Sequence, residues 1–346
     1  GARSNLGLAL ESAGRVAEAV EAWRAALASH PADATMRQNL ARALLTLGRF
    51  DEGWPEYRWR LLAQGLARTA PDRSAKPLGR NLAGRQLALL AEQGLGDILF
   101  FLRFAPELAA RGARLAFVGD ARLHGLLSRT GLFALGMHAP GPVPPACEPT
   151  AIGDLPWLLE AGDPARFPPS LPLAPLEDRV AAMRERIESL GPGPRIALTW
   201  RSGVASVGPA RTQVKQVGIE ALGAALRGVR ATWIGVQRLP GESERERLAQ
   251  AIGAPVHDFS AANDDLESML ALLRVVDRYV GVSNTNTHLG ASVGTSLDVL
   301  VAHPPEWRWT LGAPSPWYPQ ARLYRERPGG DWRAALAQLA AALRAA

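Results

Sequence analysis

The stretch that decides the fold is Gln86-Leu87-Ala88-Leu89-Leu90-Ala91, followed at once by Glu92-Gln93-Gly94-Leu95-Gly96-Asp97 and then by the apolar run from Ile98 to Arg111. A short apolar run, a glycine-rich turn and an amphipathic helix are what a parallel strand and its crossover require. Leu115 to Val118 supplies a second strand. The same alternation resumes from Arg195, with strands predicted at 195–200, 231–237, 278–282 and 297–302. Helices are predicted between and after them, at 218–227, 242–252, 264–274, 286–293 and 332–345. This pattern gives two Rossmann-like halves, 85–175 and 176–346, and the default ligand site of such a pair is the cleft between halves. The proline-rich residues 139–149 interrupt the first half, and Ser170 to Pro175 reads as a second linker.

Upstream the period changes. Leu6, Gly7, Leu10, Gly14, Arg15, Ala19 and Trp23 are matched 34 residues later by Leu40, Ala41, Leu44, Gly48, Arg49, Gly53 and Tyr57. That is the period of a tetratricopeptide (TPR) repeat, in which small residues let paired helices approach and large ones fill the groove. Helices are expected near 4–13, 16–29, 34–47 and 50–62, giving a helical segment over 1–63 and a linker over 64–84. Two units are few for a free-standing array, and a chain that opens inside its first helix predicts a longer one. Such a segment serves either as a protein-binding groove or as a cap on the next domain. The aromatic-rich end, Gly53-Trp54-Pro55-Glu56-Tyr57-Arg58-Trp59-Arg60, suggests docking onto that domain.

Composition narrows the function classes. The 346 residues carry 39 − 33 = +6 formal charges, yet lysine occurs only at 76 and 215, so 37 of the 39 cations are arginine. They are interleaved with acids, as in Glu242 to Arg247, which describes a solvated helix face rather than a nucleic-acid stripe. One cysteine, Cys147, excludes an intrachain disulfide and a cysteine zinc cluster. No run reaches the length of a spanning helix and no signal pattern opens the chain, so a cytoplasmic location is expected. The six histidines fall at no helical metal-ligand spacing, and neither a P-loop nor a nucleophile elbow is present.

Polar residues gather at the strand ends. Gly94 and Gly96 allow backbone N–H groups to approach an anion, and Asp97 reads on spacing alone first as a helix N-cap, with a general base toward a hydroxyl as the functional alternative. Ser283, Asn284, Thr285, Asn286, Thr287 and His288 form the densest polar cluster after a strand; one of them can cap the helix, and together they suit a phosphate or a sugar. Arg201 in Trp200-Arg201-Ser202-Gly203, and Gln237-Arg238, end two further strands and suit a diphosphate, with surface salt bridges as the rival reading. Lys215 is a candidate compact charge near a phosphate.

Taken together, these motifs resemble bacterial TPR proteins whose C-terminal part is a GT-B glycosyltransferase similar to the heptosyltransferase group, glycosyltransferase family 9. The resemblance rests on Gly53, Trp54, Tyr57, Arg58 and Trp59, on Glu92 to Asp97, on Leu155-Pro156, Trp200, Gln237-Arg238, and His288-Leu289 with Gly294. It rests above all on Trp307-Arg308-Trp309, Ser315-Pro316-Trp317-Tyr318-Pro319 and Tyr324-Arg325. It implies a TPR segment followed by a GT-B fold, an acceptor site on the first Rossmann-like domain and a nucleotide-sugar site on the second. The activity implied is metal-independent sugar transfer, and the expectation drawn here is an inverting, hexosyl- or heptosyl-type glycosyltransferase without cofactor, acting on a protein or on a glycan or lipid acceptor that the repeats would help recruit. Asp97 matches the family's base. Ser283 and Asn284 stand where many members have an Asp-Thr pair that contacts the donor, and the usual Asp-Arg-x-Arg-Ser stretch is replaced by Arg211 to Val217. The missing acid leaves a non-catalytic TPR-led adaptor as the alternative, with a GT-B nucleotide-sugar epimerase as a third reading.

Overall fold

A computed structural model describes residues 2–65, 67–72, 74–202, 215–312 and 314–345. The chain divides into two compact units. Unit 1 comprises residues 1–120, 132–169 and 303–319; unit 2 comprises 121–131, 170–302 and 320–346.

Unit 1 begins with four helices, Ala2–Ser12, Val16–Ser29, Ala34–Thr46 and Phe50–Tyr57, packed as consecutive antiparallel pairs. The 34-residue match falls where neighbouring helices approach closely. A Cβ added to Gly7 would lie 2.4 Å from the Trp23 ring, and one added to Gly53 would lie 2.6 Å from Leu45 Cδ2. Trp23, Val20, Leu40 and Leu44 close the groove between these helices. The helix expected over 50–62 stops at Tyr57 and re-forms as a separate turn, Arg60–Ala63. Pro55 lies inside it and offers no backbone donor.

The sheet of unit 1 has four parallel strands: β1 (Gln86–Leu90), β2 (Arg114–Val118), β3 (Met137–His138) and β4 (Glu148–Ala151), in the order β3-β2-β1-β4. Two of them are not expected from sequence. β3 is only two residues long, and β4 carries Pro149, tolerated because β4 is an edge strand paired with β1 alone. The predicted helix from Ile98 to Arg111 is instead Leu95–Phe101, a 3-10 turn at Leu102–Phe104, and Ala105–Ala110. Pro106 fits the first turn of that last piece.

Residues 303–319 complete the core of unit 1. Trp317 stacks on Phe167 with ring centroids 3.6 Å apart and planes 4° apart. Trp307 meets Trp54, Tyr57 and Phe100 edge-on, and Trp54 Nε1 donates to Ala161 O at 2.8 Å. Arg103, fully buried, donates from Nη1 to the Trp317 carbonyl at 2.9 Å and lies 4.3 Å from the Phe100 ring centroid. The aromatic residues that end the repeats thus dock against the α/β part of the same unit.

Unit 2 is a six-stranded parallel sheet: β5 (Arg195–Leu198), β6 (Thr232–Gly235), β7 (Val256–Asp258), β8 (Arg278–Val282), β9 (Ser296–Val301) and β10 (Arg322–Arg325), in the order β10-β9-β8-β5-β6-β7. Helices Glu177–Glu188, Ile219–Leu226, Glu244–Ile252, Leu266–Val275, Thr285–Val293 and Arg333–Arg344 accompany it. Trp233, Leu222, Leu248 and Leu339 are among its core residues. Asp298, inaccessible on β9, accepts from Arg278 Nε at 2.9 Å and from the Tyr324 hydroxyl at 2.8 Å, so one buried carboxylate joins β8, β9 and β10.

Candidate functional site

In both sheets the winding direction reverses beside the first strand. In unit 1 the switch falls between β1 and β4, and in unit 2 between β5 and β8. Ligands of open parallel sheets bind outside the carboxyl ends of the strands at such a point. Gly94, Gly96 and Asp97 fall at the first of these places and Ser283 to His288 at the second, while Gln237, Arg238 and Lys215 fall on the other side of β5.

In unit 1, β1 runs into Glu92 and a turn that holds Gln93 at φ 64°, a left-handed conformation in a residue other than glycine. Helix Leu95–Phe101 starts from Gly94. Gly94, not Asp97, is the N-cap; Asp97, at the third helical position, accepts the Gly94 N–H through Oδ2 at 3.2 Å, the return half of a capping box. Its Oδ1 is ion-paired with Arg308, a contact that no sequence motif assigns. The Asp97 side chain keeps 26% of its surface exposed while that of Arg308 keeps 6%. The Arg308 guanidinium lies 4.4 Å from the Trp307 ring centroid and 4.8 Å from that of Phe100. Burial lowers the tendency of Arg308 to stay protonated, but the carboxylates of Asp97 and Glu306 outweigh it and hold the guanidinium above its ordinary pKa.

Beside this pair lies a second ionic group. Arg60, with no exposed side-chain surface, forms a fork on Glu92, with Nε 2.9 Å from Oε2 and Nη2 paired to Oε1. Its Nη1 donates to Asp154 Oδ1 at 2.6 Å. Glu92 Oε1 also accepts the Gly153 N–H at 2.8 Å. Burial pulls the Arg60 pKa down, and Asp154 and Glu92 together drive it above its ordinary value. The Tyr57 hydroxyl accepts from Gln93 Nε2 at 3.3 Å, and burial raises that phenol. Tyr57, Arg60, Glu92 and Gln93 lie in sequence motifs, whereas Gly153 and Asp154 do not, and Asp154 is 94 positions from Arg60 in the chain. No spacing rule links them.

In unit 2, Asn284 caps helix Thr285–Val293. Its Oδ1 accepts from the Asn286 N–H at 2.9 Å, the Thr287 N–H at 3.4 Å and the Tyr279 hydroxyl at 2.9 Å. Its Nδ2 donates to Thr199 Oγ1 at 3.2 Å, and the Thr199 and Tyr279 hydroxyls are 2.7 Å apart. Burial pushes the Tyr279 phenol up to about 12, against its hydrogen bonds with Thr199, Asn284 and Thr287. Asn286 Nδ2 donates to Asn263 Oδ1 at 3.2 Å. Ser283, Thr287 and His288 are buried, and Thr285 is partly exposed.

On the other side of β5, Gln237 accepts the N–H groups of Trp200 and Arg201 through Oε1 at 3.1 and 3.0 Å. Arg201 is paired with Glu244 at 3.1 Å, and Glu244 also accepts from Trp200 Nε1 and the Gly241 N–H. Arg238 is exposed. Lys215 lies where residues 215–217 pair back against 200–202 through Ser202 N–Lys215 O and Val217 N–Trp200 O, both 2.8 Å. Gly203, and residues 211–214 of the stretch Arg211 to Val217, lie outside the described residues. Gly94, Gly96 and Asp97 are therefore gathered in unit 1, and the remaining candidates in unit 2.

Residues 4–57 match the tetratricopeptide repeat family model. Over 77% of the chain and 98% of its own length, the crystal structure of the glycosyl transferase family 9 from Veillonella parvula DSM 2008 superposes with a TM-score of 0.53 at 11% identity. The structure of E. coli ADP-heptose lps heptosyltransferase II covers 75% of the chain with a TM-score of 0.47 at 13% identity. The chain is thus a tetratricopeptide repeat segment joined to an α/β part of GT-B fold. Among curated proteins it resembles Protein FlbA of Caulobacter vibrioides, 32% identical over 352 positions that take in 91% of this chain. The chain spans 56% of that relative's length. Among the described residues no helix is long and apolar enough to cross a membrane.

Proposed function

We propose that the protein is a glycosyltransferase that moves a sugar from a nucleotide-sugar donor to a hydroxyl, with inversion and without a metal ion. The observation that carries this reading is that Asp97 stands, partly exposed, at the switch point of the unit 1 sheet. Arg308 holds one carboxylate oxygen, which leaves Oδ2, in a single long contact with Gly94, as the oxygen that takes the acceptor proton. As the acceptor oxygen bonds to the anomeric carbon, the bond from that carbon to the diphosphate breaks and its electron pair leaves with the nucleoside diphosphate. Unit 2 is read as the donor site. Gly94 and Gly96 are read as donor-binding through backbone N–H groups that face an anion, while Arg238, Lys215, Arg201 and Gln237 surround the ends of β5 and β6. Ser283 to His288, with Asn284 and Thr285 partly exposed, come after β8. Positive charge and N–H donors there offset the charge gathering on the leaving diphosphate. The repeats are read as the part that recruits a protein or a glycan or lipid acceptor.

A second reading, binding without turnover, is favoured by a specific observation. Asn284 has its carbonyl and amide engaged by Tyr279, Thr199 and the helix N–H groups, and Arg201 is paired with Glu244. One experiment separates the two. The full chain is screened by thermal shift against UDP-, GDP-, ADP- and CMP-linked sugars, and transfer is measured with each stabilising donor. The glycosyltransferase reading expects one donor to stabilise and turn over, and Asp97→Asn to lower kcat by about 10²–10⁴-fold. Stabilisation without transfer or hydrolysis supports the binding reading. Undiminished transfer by Asp97→Asn removes Asp97 as the base.

A further inference from the structure

We infer that Arg60, at the close of the tetratricopeptide segment, is a positioning residue for the turn that carries Asp97, so that the repeats help set the geometry of the unit 1 site. Arg60 has no exposed side-chain surface and spans both strand ends at the switch point, reaching Glu92 after β1 and Asp154 after β4. Burying an ionic group rarely adds net stability over an apolar core of equal volume, but a forked guanidinium fixes the direction of the carboxylates it holds. What it fixes here is the first residue of the Asp97 turn. Glu92 is locked on both oxygens by Arg60, and Oε1 also binds the Gly153 N–H. The next residue, Gln93, sits at φ 64° and reaches Tyr57, three positions before Arg60. The helical segment therefore grips two consecutive residues of the turn.

Gly153 shows how closely this contact is built. A Cβ placed there would lie 2.6 Å from Cζ, Nε and Nη2 of Arg60. Gly153→Ala therefore displaces the guanidinium without removing any charge, which makes it a cleaner probe than truncating Arg60.

The effect on transfer rests on the reading of Asp97 as base; the effect on the turn does not. The test uses the full chain carrying Gly153→Ala, Arg60→Lys or Arg60→Met, with hydrogen–deuterium exchange resolved by segment. Amide exchange over 92–98 is expected to rise about tenfold or more in Gly153→Ala and Arg60→Met, and less in Arg60→Lys. Helix Ala34–Thr46 and the unit 2 strands should keep their protection. Where the wild type transfers sugar, kcat falls in the same order while the KM for donor is unchanged.

Unchanged exchange over 92–98 in folded Gly153→Ala overturns the inference. So does equal loss of protection across all of unit 1 in the three variants, because Arg60 would then be a general staple of the core. A wild-type chain that transfers nothing defeats the glycosyltransferase reading alone, since the exchange result still decides the role of Arg60.

Discussion

Single residues carry the two switch points, and each does so through partners remote in sequence. Asn284 is the sharpest case. It caps a helix, as its position after a strand suggests, but it also receives the Tyr279 hydroxyl and donates to Thr199. Asn284→Ala should therefore cost more than the ~1 kcal/mol of an ordinary cap. Two buried hydroxyls lose a partner as well, each at about 1 kcal/mol or more. Urea unfolding followed by fluorescence would measure the loss, and a change below about 0.5 kcal/mol would show the cap and its network to be redundant. The identities of Asp97 and Asn284 as site candidates were legible because glycine-rich and polar turns after strands have local signatures. Arg308 and Arg60 were not legible as partners, because an ion pair between residues up to 211 positions apart leaves no local pattern.

Elements show the same division. β1, β2, β5, β6, β8 and β9 announce themselves as apolar runs, since strands buried on both faces need continuous hydrophobic residues. β4, with Glu148 and Pro149, and the three-residue β7 do not, because edge strands are stabilised by a neighbour rather than by their own composition. Helix Glu244–Ile252 illustrates how an element end secures a site. Its first residue, Glu244, ties the Trp200 and Arg201 side chains to the Gly241 backbone. Partial burial would raise the Glu244 pKa, but the Arg201 and Gly241 hydrogen bonds prevail and hold it below its ordinary 4.5. A depressed carboxylate contributes stability above its unfolded pKa and loses it as pH falls through the folded value. The stability gap between wild type and Glu244→Gln should accordingly be largest above the ordinary 4.5 and close as the pH falls through the lower, folded value. Urea midpoints collected across that range would test it, and a gap independent of pH would contradict the ionic role.

For the whole molecule, the decisive feature is that residues 303–319 leave the unit 2 fold between β9 and β10 and complete the aromatic core of unit 1. Trp317 is buried against Phe167, Phe100, Phe50 and Trp54. Trp317→Ala should destabilise by about 3–5 kcal/mol. Segment-resolved hydrogen exchange should place the lost protection in unit 1, over helix Phe50–Tyr57 and β1, with β5, β6 and β8 spared. Loss confined to unit 2 would show that the segment belongs elsewhere. By itself the sequence determined the repeat, the two parallel-sheet halves and the turns at which polar residues emerge, because periodicity and strand-end chemistry are local consequences of backbone geometry. Only the tertiary structure decided what holds those turns: Arg308 on Asp97, Arg60 on Glu92 and Asp154, and Tyr279 and Thr199 on Asn284. Buried charges and hydroxyls must find partners wherever the fold brings them, and that requirement acts through space rather than along the chain.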